Sequence, residues 1–461
     1  MNNKEMIKNI AIEFTIAGHE IYEVGGSVRD ELLGRIPSDF DFAVSSLPDE
    51  TLRILDKFCS ENTGYAVYSI GKEYGTIGLV DKNGIKMEFT TYRGEVYPTN
   101  SRKPNVVFGN SIVEDLARRD FTINAIARDA TSGEYLDPFD GEGDINRKVI
   151  KCVGSDDRLD EDPLRMLRAY RFGAQLGFAV EVEIKHPERL KIISAERIRD
   201  ELNKILLSEN ATIGIAYLYH TKLIDYIIPE LLELVDLEQG HSHIHDAFNH
   251  TLSVLARACG YDVGEDKLIL RLAALLHDIG KKAAHTVTAT GPHFYGHHNL
   301  SFEIAGTILR RLKYDGDTIE RVTNLVHMHM EPIMMLTSGS LNKRSVSRLI
   351  RRMNATKHDD MELLLKLSTC DVGSTARPRV EFIDEMRRLV KECQEVLPEQ
   401  KSPLTGYEIM LILNIKPGTL IGDIKDFLIE QVIEGNVKAE DKESLTRMVK
   451  EYNGKDSISS R

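Results

Sequence analysis

Residues 22–44, YEVGGSVRDELLGRIPSDFDFAV, constrain the fold more than any other stretch of the chain. They read as strand, glycine turn, short helix, loop and strand. Tyr22 to Val24 is stopped by Gly25 and Gly26, and two residues without Cβ let the backbone close around a bulky anion. The helix predicted over Ser27 to Leu33 turns its N-terminal amides and positive dipole end toward the same place. Arg29 sits there as a planar fork for phosphate oxygens. In Asp39-Phe40-Asp41-Phe42 strand geometry sends both carboxylates to one face and both phenylalanines to the other. Parallel carboxylates repel unless a cation lies between them. Hard oxygen ligands beside a phosphate-cradling turn therefore make a site for Mg²⁺ carrying a nucleoside triphosphate. Alone, a glycine pair is usually a turn and D-x-D a solvated strand end.

At this spacing the two halves resemble the first motif of the nucleotidyltransferase superfamily that includes DNA polymerase beta. The form GG-x-V-R-D … D-x-D is that of class II CCA-adding tRNA nucleotidyltransferases and bacterial poly(A) polymerases. The resemblance implies that Asp39 and Asp41 are the catalytic ligands of two Mg²⁺, with Gly26 and Arg29 on the nucleotide. On that resemblance, metal held by Asp39 and Asp41 would supply activation of an RNA 3′-hydroxyl and neutralisation of the triphosphate from which pyrophosphate leaves. Glu88, on a strand expected to neighbour the Asp39/Asp41 strand, is a candidate third carboxylate or a solvated strand residue.

The pattern continues down the chain. In Glu114 to Ala125, EDLARRDFTINA, two arginines beside an aspartate make a place for a triphosphate (Arg119) and a ribose hydroxyl (Asp120). The string resembles the family's R-R-D-F-T-x-N-A motif. Residues 160–178, DEDPLRMLRAYRFGAQLGF, read as one helix with Pro163 in its first turn. Asp162 and Arg165 then lie on one face about a turn apart. A carboxylate accepts from an exocyclic amine and a guanidinium donates to ring nitrogens and carbonyls. Cytosine and adenine both set an amine beside an unprotonated ring nitrogen, whereas guanine and uracil set a carbonyl beside an N–H. Such a mismatch of buried polar groups rejects the wrong base by on the order of 10⁴. Glu161, Asp162 and Arg165 match the family's E-D-x-x-R base-reading motif, which implies CTP and ATP as substrates. The resemblance also assigns Arg168 and Arg171 to the nucleotide site, although a spacing of three drifts by about 60° per step and carries Arg171 toward Leu164 and Leu167.

Residues 92–111 are rich in turn formers and carry Arg93, Arg102 and Lys103. They resemble the flexible loop of CCA-adding enzymes, and its presence favours addition of the final A. Around these motifs the chain predicts a helix over 1–19 with a Met6, Ile10 and Phe14 stripe and a helix opened by Leu47-Pro48-Asp49-Glu50. Strands follow over 65–70, 76–80 and 85–91. The result is an α+β protein: a small mixed β-sheet nucleotidyltransferase head over 1–150 and a helical neck over 151–235. The neck includes a helix opening at Ser194 to Leu202.

Eleven of fifteen histidines fall between His241 and His329. His250 lies in a helical run, His277-Asp278 ends the apolar helix Leu268 to Leu276, and Asp371 follows another. Mixed imidazole and carboxylate ligands suit Mn, Fe, Co, Ni or Mg better than a structural zinc. The order resembles the HD phosphohydrolase domain, placed at 236–375, with His250, His277, Asp278 and Asp371 as its metal ligands. His297, His298, His327 and His329 are candidates for a second metal or a substrate phosphate. The resemblance implies cleavage of an RNA-end phosphate ester, such as a 2′,3′-cyclic phosphate.

With 461 residues, three or four domains are expected. A formal charge of −13 disfavours a general nucleic-acid binder, so contact with the tRNA 3′ end must come from local patches. The basic segment 341–358, LNKRSVSRLIRRMNATKH, is one candidate, a solvated helix face being its alternative. The helical tail covers 376–461. Five scattered cysteines without a C-x-x-C pair fit a reducing cytoplasm, and no apolar run nears the ~20 residues needed to span a bilayer. Neither a membrane nor DNA is expected as a partner. Two alternatives stand beside CCA addition. One is a poly(A) polymerase or A-adding enzyme of the same family. The other is an HD phosphohydrolase whose first half only binds nucleotide.

Overall fold

The structure, a computed structural model, describes residues 3–69, 71–96, 105–109, 111–240, 245–289, 291–354, 357–376, 381–397 and 401–456. They pack as two compact units, Met1–Ile227 and Ile228–Arg461.

The first unit begins with α1 (Asn3–Ile16), β1 (Ile21–Val24), α2 (Gly26–Leu32), β2 (Phe40–Val44), α3 (Pro48–Glu61), β3 (Tyr65–Tyr68), β4 (Thr76–Asp81) and β5 (Lys86–Thr91). A hairpin, β6 (Arg93–Val96) with β7 (Asn105–Phe108), precedes α4 (Ile112–Ala117), β8 (Ala127–Asp129) and β9 (Tyr135–Leu136). One seven-stranded sheet results, in the order β3-β4-β5-β2-β1-β8-β9. Strands β2 and β5 run parallel, and the other neighbours run antiparallel. The period-2 alternation puts Phe40, Phe42, Ile77, Leu79, Met87 and Phe89 on one face, buried under the Met6, Ile10 and Phe14 stripe of α1 and under α3. Phe14, Phe89 and Phe42 stack at 5.6 and 4.8 Å between centroids, and each such ring contributes about 1.5–3 kcal/mol on burial. Asp41 and its register partner Glu88 consequently stand on the opposite face.

Of the stretch 92–111, the described residues include two paired strands, β6 and β7, and Arg102 and Lys103 lie outside the described residues. One expectation changes here: 160–178 is not one helix. After α5 (Gly141–Arg147) and the parallel pair β10 (Val149–Ile150) with β11 (Ala179–Val180), the segment folds as α6 (Arg158–Glu161) and α7 (Leu164–Leu176). Between them Asp162 is extended, at φ −127° and ψ 101°. The ring of Pro163 disfavours a helical conformation for the residue before it, so the chain breaks there and restarts. Helices α8 (Ala195–Leu206) and α9 (Ala211–His220) complete the unit.

The second unit contains α10 (Ala247–Cys259), α11 (Lys267–Leu276) and α12 (Lys281–Ala284), then a small hairpin of β12 (Thr286–Thr288) and β13 (Gly291–His293). Then follow α13 (His297–Arg311), α14 (Gly316–Met328), α15 (Met330–Thr337), α16 (Lys343–Met353), α17 (Met361–Gly373) and α18 (Glu381–Val396). Last come α19 (Gly406–Leu413), α20 (Thr419–Ile433) and α21 (Lys442–Asp456), packed around Ile409, Ile424, Leu428 and Leu445. Asp371 lies inside α17 rather than after it. The basic segment is α16, and its charges are met within the unit. Arg344 and Arg348 converge on the buried Glu430 of α20, Lys343 pairs with Glu392 and Arg352 with Glu331. Those four cations are ion-paired within the unit while remaining about half exposed. No described helix is long and apolar enough to cross a membrane.

Candidate functional site

The glycine turn works by close approach. Gly25 has φ 76° and ψ −132°. A Cβ there would stand 3.1 Å from Nη1 of Arg119 and 3.5 Å from Oδ2 of Asp41. The backbone conformation demands glycine, and a Cβ would in addition require the Arg119 guanidinium to give by a few tenths of an ångström. Val24 is the register partner of Asp41, so turn, carboxylate and guanidinium meet at one point. Burial pushes the Asp41 carboxyl up from its ordinary pKa; Arg119 opposes this, and Glu88 and Asp39 add to it. Asp39 precedes β2 instead of lying in it; it is exposed and accepts from Ser38 Oγ at 3.2 Å. It stands outside the wall of the cavity that Asp41 lines, close enough for its charge to act on Asp41.

Among the described residues that cavity, of about 510 Å³, is walled by seven arginines and three aspartates, Asp41, Asp120 and Asp162, with Gly25 and Gly26 at its edge. The arginines are aimed by acids or carbonyls, which leaves little rotamer freedom to lose on binding. Arg29 donates to Asn124 Oδ1 at 2.8 Å and to Asp30 at 2.7 Å. Arg118 and Arg119 share the buried Asp115, whose carboxyl they hold below the usual range against the effect of burial. Asp120 accepts from the Phe121 amide at 2.8 Å, from Asn124 Nδ2 at 3.1 Å and from Arg168 Nε at 2.7 Å. Burial alone would raise its pKa, yet Arg168 and Asn124 prevail and hold it at about 2.

Helix α7 presents Arg165, Arg168, Arg171, Phe172 and Gln175 to the cavity. The drift of 60° per step puts Arg165 and Arg171 at the two edges of a stripe about 120° wide, so Arg171 does line the site. It pairs with Glu201 at 3.0 Å, and burial pulls its pKa down to about 10. Phe172 lies beneath three guanidiniums, those of Arg29, Arg168 and Arg171, at 5.0, 5.6 and 4.0 Å, as cation–π contacts. Arg165 donates to Glu161 at 2.9 Å and to the Arg118 carbonyl at 3.0 Å. Asp162 accepts from the Leu164 amide and, at 3.1 Å, from Arg197 on α8. Sequence reasoning missed Arg197 and Glu201. Their i, i+4 spacing in SAERIRDEL was the available signal.

In the second unit six buried side chains converge. His250 from α10, His277 and Asp278 at the end of α11, His297, His329 and Asp371 form two groups, His250/His277/Asp371 and Asp278/His297/His329. Within each, the ligand atoms lie within 4.8 Å of one another. His277, His297 and His329 each turn Nδ1 onto a backbone carbonyl three residues earlier, at 2.9, 2.9 and 2.6 Å. A carbonyl only accepts, so Nδ1 carries the proton and Nε2 faces the cluster as a lone pair. Asp278 stands between the groups. Its Oδ2 is 3.0 Å from His277 Nε2 and its Oδ1 is 3.1 Å from His297 Nε2. Burial drives the His329 imidazole down to about 3, and nearby His277 and His297 reinforce it. His277 Nε2 is buried without a hydrogen bond, and the donor set of imidazole and carboxylate fits a divalent ion. His298 and His327 stay outside this cluster, stacked on each other at 5.9 Å between centroids. A cavity of about 900 Å³ opens beside the cluster, with Asp278, Lys281 and His297 among its polar lining and Phe294, Met330 and Ile333 among its apolar lining.

Comparison with known proteins accords with this geometry. Residues 21–151 match the family model described as "Poly A polymerase head domain", and 183–234 match "Probable RNA and SrmB- binding site of polymerase A". Residues 247–367 match "HD domain". An A-adding tRNA nucleotidyltransferase of Deinococcus radiodurans is 31% identical over 90% of this chain and 92% of its own length. A CCA-adding enzyme of Levilactobacillus brevis is 30% identical over 95% of each. A solved structure of the Bacillus stearothermophilus CCA-adding enzyme in complex with CTP superposes with a TM-score of 0.71, covering 100% of both chains at 24% identity.

Proposed function

We infer, since the chain belongs to the family of tRNA nucleotidyltransferases built on the poly(A) polymerase head domain, that it adds and repairs the 3′-terminal CCA of tRNA from CTP and ATP, releasing pyrophosphate. The observation that carries this reading is the cavity in which Asp41 and the glycine turn share one space with Asp162 and Arg165. Reacting phosphate and base selector would then share one cavity of about 510 Å³.

Asp41 and Asp39 are the residues that would hold Mg²⁺, which when bound supplies charge neutralisation to the triphosphate and acidity to the 3′-hydroxyl. The rest belongs to the chain. Gly25 and Gly26 admit the phosphates without a Cβ in the way, and Arg29 and Arg119 clamp them with forks fixed by Asn124, Asp30 and Asp115. Asp120 is filled by protein donors, so it aims Arg168 instead of accepting a ribose hydroxyl itself. Asp162 accepts the exocyclic amine of cytosine or adenine, and Arg165 donates to the adjoining ring acceptor. Their own partners, Arg197 and Glu161, keep both groups in place, so GTP and UTP meet donor with donor and acceptor with acceptor.

For the second unit the reading is a divalent-metal phosphohydrolase acting on RNA-end phosphates. His250, His277, Asp278 and Asp371 would hold Mn, Ni, Co, Fe or Mg, whose role when bound is to lower the pKa of water. The segments 1–150, 151–235, 236–375 and 376–461 are then head, neck, HD domain and tail, working in the cytoplasm. Purified protein given tRNA without its end and each labelled NTP separates the possibilities. C followed by A supports the reading. A once, many A or no incorporation points to the A-adding, poly(A) or purely hydrolytic alternative.

A further inference from the structure

The arginine-lined cavity accounts for one of the two substrates of transfer. The reaction runs in line, with the attacking oxygen entering opposite the departing pyrophosphate. Gly25 and Arg119 lie on the β1 side of Asp41. The acceptor therefore approaches from the β5 side.

On that side a row of directly opposed residues crosses the sheet: Asp41 on β2, Glu88 on β5, Gly78 on β4 and Tyr68 on β3. Opposed residues share a face, and this face is not the one under α1 and α3, because the residues alternating with the row are the buried Phe40, Phe42, Ile77, Leu79, Met87 and Phe89. Gly78 makes the row a trough. A Cβ at Gly78 would lie 2.0 Å from Cζ and 2.2 Å from Cε2 of Tyr68, so the phenol ring is laid flat across the strand. Glu88, opposite Gly78, lines the same cavity as the phenol. The ring is only half-buried, and a cavity of about 630 Å³ opens over it, walled by Tyr74, Thr76, Val80 and Lys86. A flat aromatic face, a cation and a path along the row to Asp41 are what a terminal nucleoside needs.

We propose that this trough seats the 3′-terminal nucleoside of the RNA acceptor, its base stacked on Tyr68 and the phosphate behind it facing Lys86. The proposal rests on the transferase reading above. Stacking of one base on one ring corresponds to roughly a five- to hundredfold change in affinity. The test uses the full-length protein, ATP and tRNA ending in CC, with a second acceptor whose terminal nucleotide is abasic. Tyr68→Ala is expected to raise KM for tRNA about tenfold and to leave KM for ATP within twofold; Tyr68→Leu, which keeps bulk over Gly78, gives the same loss. The abasic acceptor costs the wild type a similar factor but costs Tyr68→Ala nothing further, a coupling that a merely structural role does not produce. If the two losses multiply, or if KM for ATP moves instead, the seat is wrong while the transferase reading stands. If the wild type extends neither acceptor, both fall.

Discussion

At the scale of single residues, the transfer site stores cost as well as function. The Asp41 carboxyl is raised by burial and by its acidic neighbours, so the native state binds a proton more tightly than the unfolded chain and stability falls as pH rises through that pKa. At neutral pH without divalent metal its charge is a net burden. Asp41→Asn should therefore abolish incorporation, by at least about a thousandfold, while its melting temperature in EDTA stays level or rises. Loss of fold with loss of activity would contradict this. Asp120 has the opposite sign. Its folded pKa is held at about 2 against an ordinary 3.8, and at ~1.4 kcal/mol per unit the ionised carboxyl gains about 2 kcal/mol on folding, which is what Arg168, Asn124 and Arg165 together contribute beyond the cost of burial. That stability is complete above the unfolded value and disappears as pH falls toward 2. The gap between wild type and Asp120→Asn, followed by denaturant titration, should be full at pH 6 and close between pH 4 and pH 2.

At the scale of elements, local patterns were legible and distant pairings were not. The apolar stripe of α1, the alternation of β2 and the capping of α3 all act within a few residues, so the sequence shows them. The positions of Asp162 and Arg171 were harder. The helix period placed Arg171 on an apolar side, and only the packing of α8, which brings Glu201 and Arg197, shows that the cavity wraps a wide stripe of α7. Likewise the basic run of α16 is visible in sequence, but its buried counter-charge, Glu430, lies about eighty residues away in the chain. The break at Asp162-Pro163 was legible in principle, since a residue before proline avoids the helix. It also carries a consequence. In Pro163→Ala the constraint on Asp162 vanishes and α6 can run into α7, turning the carboxylate out of its place beside Arg197. The expected result is a well-folded enzyme whose preference for CTP and ATP over UTP and GTP, as ratios of kcat/KM, falls at least tenfold. An unchanged ratio would mean that the extended conformation of Asp162 does not set the selection.

At the scale of the molecule, the chain reconciles a net charge of −13 with polyanionic substrates by concentrating seven arginines around one cavity, where the field is local and bulk repulsion is screened beyond about 10 Å. The order of the motifs along the chain made this half readable before any fold was seen. The second centre was less so: eleven histidines crowd one region, yet spacing alone did not separate His297 and His329, which join the cluster, from His298 and His327, which stack outside it. Nor did it show Asp278 standing between two groups of ligands. Among the described residues, every side chain of that cluster lies in Ile228–Arg461, and every residue lining the arginine cavity lies in Met1–Ile227. Each set is drawn from one unit, so each should be lost separately. His277→Ala removes an imidazole whose Nε2 stands 3.0 Å from Asp278 Oδ2 and is one of the three ligand atoms of its group. Bound divalent metal, measured by elemental analysis of the purified protein, should drop, and hydrolysis of a 2′,3′-cyclic phosphate should disappear. Addition of C and A to tRNA should stay within twofold of wild type. A fall in both activities, with the first unit still folded, would show that the histidine cluster serves the transfer reaction.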